Sequence, residues 1–475
     1  MSENKYKWMV MIYLAGNNSL SEECVFALAD MAASRPPSQV AIIAQLNTGV
    51  QDHTTLAIKE GGMTADQIHA ELKKALTNTD GTTESSGPIN SGDKIFNFVK
   101  ACKDNPEKAD HYMLVLSGHG SGTMGDFLHQ EGKKPFSLMD LRTSLNKIFA
   151  IDQRKLDVLG LDTCLMSMGE VAYLIRENVN VMIGAEGFEP GAGWPYKRVL
   201  EQVNTLPEDP KTLAKKIVSE YIHHYTLYQA ANVSVDQSAC DLEQAGNVIN
   251  AISSLTGVLK NSLDDAAVRD ALILAHWEAQ LYKNEQYTDL YDFCSLLKAR
   301  LAGNNSIVPV CQNVLNAVLG ANHPDNRNDA HLADESFQQV PGFVLKSCYS
   351  GWTVQYSYGI SIYFPWSEVP AEMEQYTKLD FARDSGWGEF LKVYLDKTQR
   401  KPREPRAGST QKEPTQFRDR FLRPFFNVAS GPELLVRDAD PNRDADPNRS
   451  LRNLIGSMKN APTKFFECEC KPDEE

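Results

Sequence analysis

Two side chains in this 475-residue chain have the types and the settings for nucleophilic catalysis. His119 lies within Ser117-Gly118-His119-Gly120-Ser121-Gly122, and Cys164 follows Leu161-Asp162-Thr163. Cysteine attacks as thiolate, and a nearby imidazole or a helix N-terminus brings its pKa toward the working range. A histidine can take that proton and return it to a leaving group. The small residues around His119 let a substrate backbone come close. Backbone N–H groups in such a turn, that of Gly120 in particular, suit the stabilisation of an oxyanion. The plainer roles are a small buried cysteine and a polar surface histidine, and spacing alone does not choose between them.

Each residue sits where a strand would end. HYMLVLSGHGSG (111–122) and LDVLGLDTCLMS (156–167) are continuous apolar runs closed by small-residue turns, the pattern of buried parallel strands. In open parallel sheets, ligands bind in the crevice at the carboxyl ends of the strands. Two such strands side by side would bring the imidazole and the thiol into one crevice. A helix read from Leu165 to Asn178 would give Cys164 a helix N-terminus as well.

The same alternation extends in both directions. Strands are expected at Trp8–Leu14, 40–49 and 180–187, with helices over 20–33, 93–103 and 137–148 between them. The Asn17-Asn18-Ser19 turn has N-cap chemistry for the first helix. A weak hairpin at 54–63 and a helix at 65–76 follow the second strand, then a polar loop to residue 92. After FEPGAGWPYKRVL come two helices within 196–230, an alternating strand at 231–242, a helical stretch over 243–319, and a closing strand at 357–366. This order predicts an α/β fold, a three-layer αβα sandwich with a mainly parallel central sheet and an added helical region. The expected division is 1–242 for the catalytic core, 243–396 for the helical region with the closing strand, and 397–475 for a basic, low-complexity tail in which DADPNR occurs twice.

Composition narrows the function. A net charge of −14 argues against a nucleic-acid binder and against attachment to an anionic membrane. No apolar run is long enough to span a bilayer, and the start of the chain has no signal-peptide pattern. Nine scattered cysteines then point to reduced thiols in a cytoplasm. Cys468 and Cys470 are too closely spaced for a zinc knuckle, so no metal is expected there. No C-x-x-C partner lies near Cys164, which disfavours redox chemistry.

MIYLAGNNSL, YMLVLSGHGSG and LDVLGLDTCLMSMGEVAYL together resemble the clostripain family of cysteine peptidases, related to caspases, gingipains and legumains. AEGFEPGAGWPY, YTDLYDFC and YGISIYFP extend the resemblance from about Trp8 to Pro365 and leave the tail uncovered. The resemblance implies a caspase-like fold, a dyad of His119 as general base and Cys164 as nucleophile, and an endopeptidase acting after Arg or Lys. Asp162, two residues before the nucleophile, matches the family's acid facing the P1 side chain. Glu186 and Glu189 are weaker candidates for further negative charge near that pocket.

Many relatives are zymogens that cut themselves between the His and Cys strands. Lys133 fits as the processing site here, whereas Lys134 would place Pro135 at P1′. No cofactor is required by such chemistry. Some relatives use calcium, although no EF-hand-type loop is visible. Protein or peptide substrates are the expected partners, together with an activating protease or regulator acting through the tail, and relatives suggest a monomer. The competing class is a catalytically silent caspase-like scaffold that binds partners through 243–319 and the tail. Retention of His119, Cys164 and Asp162 together argues against it.

Overall fold

The computed structural model describes residues 5–47, 54–64, 66–68, 70, 91–130, 134–231, 233–283, 286–321, 342–367 and 370–398. Lys133, the tail beyond residue 398 and most of the expected helix at 65–76 therefore lie outside the described residues.

The apolar runs become strands of one eight-stranded sheet. In chain order these are β1 (Tyr6–Ala15), β2 (Val40–Asn47), β3 (Thr54–Ile58), β4 (Ala109–Ser117), β5 (Leu156–Asp162), β6 (Val179–Gly184), β7 (Val235–Asp241) and, after a long interval, β10 (Val344–Ser350). Their spatial order is β10-β7-β6-β5-β4-β1-β2-β3. The five central strands β2, β1, β4, β5 and β6 are mutually parallel, and β3, β7 and β10 add antiparallel edges. Strand order turns back at β1, whose neighbours are β2 and β4. The crevice between β1 and β4 is thus a topological switch point of the kind that takes ligands.

Side chains alternate between the two faces of a strand, so each strand feeds two cores. Val10, Ile12, Leu14, Met113, Val115, Val158, Val181 and Ile183 pack one way, under α1 (Ser21–Ala32), α5 (Tyr196–Asn204) and α6 (Pro210–Thr226). Met9, Met11, Tyr13, Leu114, Leu116, Leu159, Leu161 and Met182 pack the other way. There they meet α2 (Ser91–Asp104), α3 (Leu138–Asp152) and α4 (Gly169–Ile175), together with the later part of the chain. The result is the three-layer αβα sandwich with a caspase-like arrangement.

The C-terminal half departs from a purely helical reading. α7 (Ala245–Ser262) and α8 (Ala266–Glu278) are followed by a hairpin of β8 (Leu281–Tyr282) and β9 (Tyr287–Asp289). α9 (Leu290–Arg300) and α10 (Ile307–Leu319) come next, and β11 (Ser361–Tyr363) joins the hairpin in a second, three-stranded sheet. Strand β10 goes back into the main sheet against β7. The boundary expected at 242/243 therefore does not separate two cores. One apolar cluster runs from Met9 to Leu395, closed by α11 (Pro370–Tyr376), α12 (Asp380–Asp384) and α13 (Trp387–Thr398). Among the described residues, no helix is long and apolar enough to cross a membrane.

Candidate active site

The two reactive strands are neighbours, and their last residues are in register. Ser117 of β4 pairs with Asp162 of β5, and the Gly118 N–H donates to the Asp162 carbonyl at 3.2 Å. His119 and Cys164 each lie two residues past that pair, on adjacent loops at one end of the sheet. The loops touch at Gly120. A methyl group there would lie 2.1 Å from the Cys164 carbonyl oxygen and 2.9 Å from its nitrogen, so only glycine lets the His loop lie against the Cys backbone.

His119 is held from several sides. Its Nε2 is 3.1 Å from the Ser19 hydroxyl, its carbonyl accepts the Leu128 N–H at 2.8 Å, and its ring meets that of His129 edge-on at 6.5 Å. In the Asn17-Asn18-Ser19 turn before α1, the Asn18 carboxamide oxygen takes the Leu20 N–H, and the Ser19 hydroxyl reaches across the switch point to the histidine. The second sheet steadies the same loop, since Lys283 Nζ and the Tyr287 hydroxyl both donate to the Ser121 carbonyl, at 2.6 and 2.8 Å.

Cys164 is 5% exposed. Its Sγ accepts the Glu189 N–H at 3.3 Å and lies 3.7 Å from the Glu189 carbonyl oxygen. The helix expected from Leu165 starts only at Gly169, because Leu165 takes a left-handed conformation, φ +63°, and breaks the run. A helix dipole acts within its first turn. The N–H facing this sulfur therefore comes from the 185–189 segment rather than from a helix end.

Asp162 is 1% exposed beneath this pair. One carboxylate oxygen accepts the Trp194 N–H at 3.0 Å and the other the Tyr196 hydroxyl at 2.8 Å. Burial, and then the Asp162 charge, push the Tyr196 phenol well above its ordinary pKa. Glu189 is buried too, with its Oε1 3.4 Å from Trp194 Nε1 and 3.3 Å from Gln237 Nε2. Glu186 takes a different part. Its Oε2 accepts the Gly359 N–H at 2.7 Å, tying the end of β6 to the second sheet, and burial beside Asp289 raises its pKa well above the usual range. Burial raises Asp289 to about 8 and Asp236 to about 6.

These carboxylates are occupied by backbone N–H groups. Asp236 takes two, from Glu186 and Gly187, and Asp289 takes those of Asp292 and Tyr358. Among the described residues, no group of three or more His, Cys, Asp or Glu side chains is arranged to hold a metal ion.

The roles of Ser19, Asp236, Lys283 and Tyr287 were not anticipated. Ser19 and Tyr287 carried a signal, as parts of the MIYLAGNNSL and YTDLYDFC motifs.

The model of the clostripain family matches residues 12–394. The chain belongs to the clostripain family. It is thus a cysteine peptidase, a hydrolase whose attacking group is a thiol. Clostripain from Hathewaya histolytica is 24% identical over 383 residues, covering 67% of this chain and 72% of that protein. Solved structures agree in fold. A secreted C11 cysteine protease from Bacteroides thetaiotaomicron, in complex with an irreversible peptide inhibitor, matches with a TM-score of 0.51 at 16% identity, over 80% of this chain and 99% of that one. The C11 cysteine protease iotapain from the same organism matches with a TM-score of 0.52 at 12% identity, over 81% and 100%. In this clostripain-family chain, the Cys164 loop lies against the Gly-rich turn carrying His119.

Proposed function

We propose that this chain is a cysteine endopeptidase cleaving after Arg or Lys, with Cys164 as nucleophile and His119 as general base. The observation that carries the assignment is the close fit of Gly120 on the Cys164 backbone, which leaves the histidine and the thiol on abutting loops. The Cys164 thiolate attacks the P1 carbonyl carbon, and the Gly120 N–H serves the oxyanion that forms. His119 protonates the leaving amine and then takes a proton from the water that hydrolyses the thioester.

Asp162 is the proposed partner of the P1 cation. What supports this is a buried carboxylate with two hydrogen-bond donors and no Lys or Arg partner among the described residues. A substrate Arg or Lys supplies the missing charge, whereas a neutral P1 side chain leaves the carboxylate unpaired. Glu189, whose carboxylate shares Trp194 as a neighbour with Asp162, adds a second buried acid.

Self-cleavage after Lys133 belongs to the same scheme, with an activating protease or a regulator at the tail as the further partner. A reducing compartment such as the cytoplasm is part of the same reading, in keeping with nine scattered cysteines. The test is a digest of a whole proteome by wild type and by Cys164→Ala. New termini after Arg and Lys that appear only with wild type are expected, whereas equal digestion by both would refute the assignment. An EDTA arm in the same assay checks for calcium dependence.

A further inference from the structure

Asp236 lies on β7, the antiparallel neighbour of β6. Backbone pairing of the two strands reaches Gly184 opposite Ser238, and two residues further on Glu186 faces Asp236. There the ladder stops and a side chain replaces it. The Asp236 carboxylate, 1% exposed, accepts the Glu186 N–H at 2.7 Å with one oxygen and the Gly187 N–H at 2.9 Å with the other. A methyl group on Gly187 would sit 2.6 Å from that second oxygen, so the fit needs glycine.

The segment held in this way carries the thiol loop at three points. The Gly187 carbonyl accepts the Leu165 N–H at 2.9 Å, next to Cys164, and the Ala185 carbonyl accepts the Ser167 N–H at 2.8 Å. The third point is the Glu189 N–H on Sγ itself. Leu165, in its left-handed conformation, has no helix to hold it, so these contacts set where the sulfur lies. Nothing in the thiol chemistry alone calls for an acid at position 236.

We infer that Asp236 is a positioning residue for the Cys164 nucleophile, acting through the 185–189 segment. This rests on the assignment of Cys164 as the attacking group. Misplacement of a reacting atom by an ångström costs about 10²-fold in rate. Asp236→Asn keeps the shape but turns an N–H donor toward one of the two backbone donors. Gly187→Ala disturbs the same contact from the opposite side.

The test uses the full chain and counts active sites by covalent titration of Cys164, with the modified peptide identified by mass spectrometry. In Asp236→Asn, kcat per titrated site on an Arg-P1 peptide is expected to fall by about 10²-fold, with KM within about 3-fold. Alkylation of Cys164 by iodoacetamide should slow with it, which a role in stability alone would not produce. A kcat per titrated site equal to wild type overturns the inference. Should Asp236→Asn not fold, Gly187→Ala carries the same expectation and the same refutation. Turnover that survives in Cys164→Ala would instead remove the nucleophile assignment, and this inference with it.

Discussion

Gly120 and Cys164, on loops from neighbouring strands, are packed so closely that a methyl group on the glycine would lie 2.1 Å from the cysteine carbonyl oxygen. Gly120→Ala must therefore push the His119 loop away from the thiol. Relief of such overpacking costs about 1–3 kcal/mol of stability, and the displaced geometry costs about 10²-fold in kcat/KM. Steady-state kinetics beside a thermal melt checks both. Unchanged kinetics would show that the two loops need not touch.

Ser19 meets His119 Nε2 at 3.1 Å across the switch point. One hydrogen bond of this kind is worth about 0.5–1.5 kcal/mol net. Ser19→Ala should then lower kcat by about 2- to 10-fold, with KM little changed, and Ser19→Thr should restore it. A loss confined to KM would place Ser19 in substrate binding instead.

Burial makes several carboxyls hold protons that the unfolded chain would release. Glu170, beneath Tyr363 and Tyr376, rises to about 7 from 4.5, Asp236 to about 6 and Asp289 to about 8, each from 3.8, and Glu186 rises with them. Between about pH 4 and 8 the folded state then binds more protons, so stability from these groups is greatest at the acid end and is lost as pH rises. His224, whose pKa burial lowers, works the other way as a single group. Urea unfolding should give a higher stability at pH 5.5 than at pH 8. Glu170→Gln should remove roughly 2 kcal/mol of that difference. A flat profile in wild type would mean that the buried acids stay ionised.

A cut after Lys133 should nick the chain without parting it. Strands β4 and β5, on either side of the cut, pair from Met113–Val158 to Ser117–Asp162. The ends of the intervening loop are also tied, since the Phe127 N–H donates to the Phe136 carbonyl at 2.9 Å and Asp126 accepts the Phe136 N–H at 2.6 Å. Gel filtration of processed enzyme should match the intact mass while a denaturing gel gives two bands. Separate elution of the fragments would contradict it.

How legible all this was depended on how far each feature relied on neighbours. The central strands are apolar on both faces, so β1, β2, β4, β5 and β6 could be read directly, along with the loops carrying His119 and Cys164. Strand β10, VLKSCYS, is a partly polar edge that takes its pairing from β7. The short β8 and β9 lie between strong helices, and β9 takes its second pairing from β11, some seventy residues further on. The Leu165-Met166-Ser167-Met168 run looks helical, yet Leu165 is held left-handed by contacts twenty residues further on. Asp236 is invisible to pattern because its role arises from where two strands stop pairing.

The assignment of a basic P1 side chain to Asp162 and of attack to Cys164 can be put into one measurement. Peptides identical except for Arg or its neutral isostere citrulline at P1 would be compared for kcat/KM with wild type, Asp162→Asn and Cys164→Ala. Wild type should prefer Arg by about 10³-fold or more, Asp162→Asn should lose most of that preference, and Cys164→Ala should turn over neither. Equal rates on Arg and citrulline in wild type, or turnover persisting without the thiol, would contradict the account.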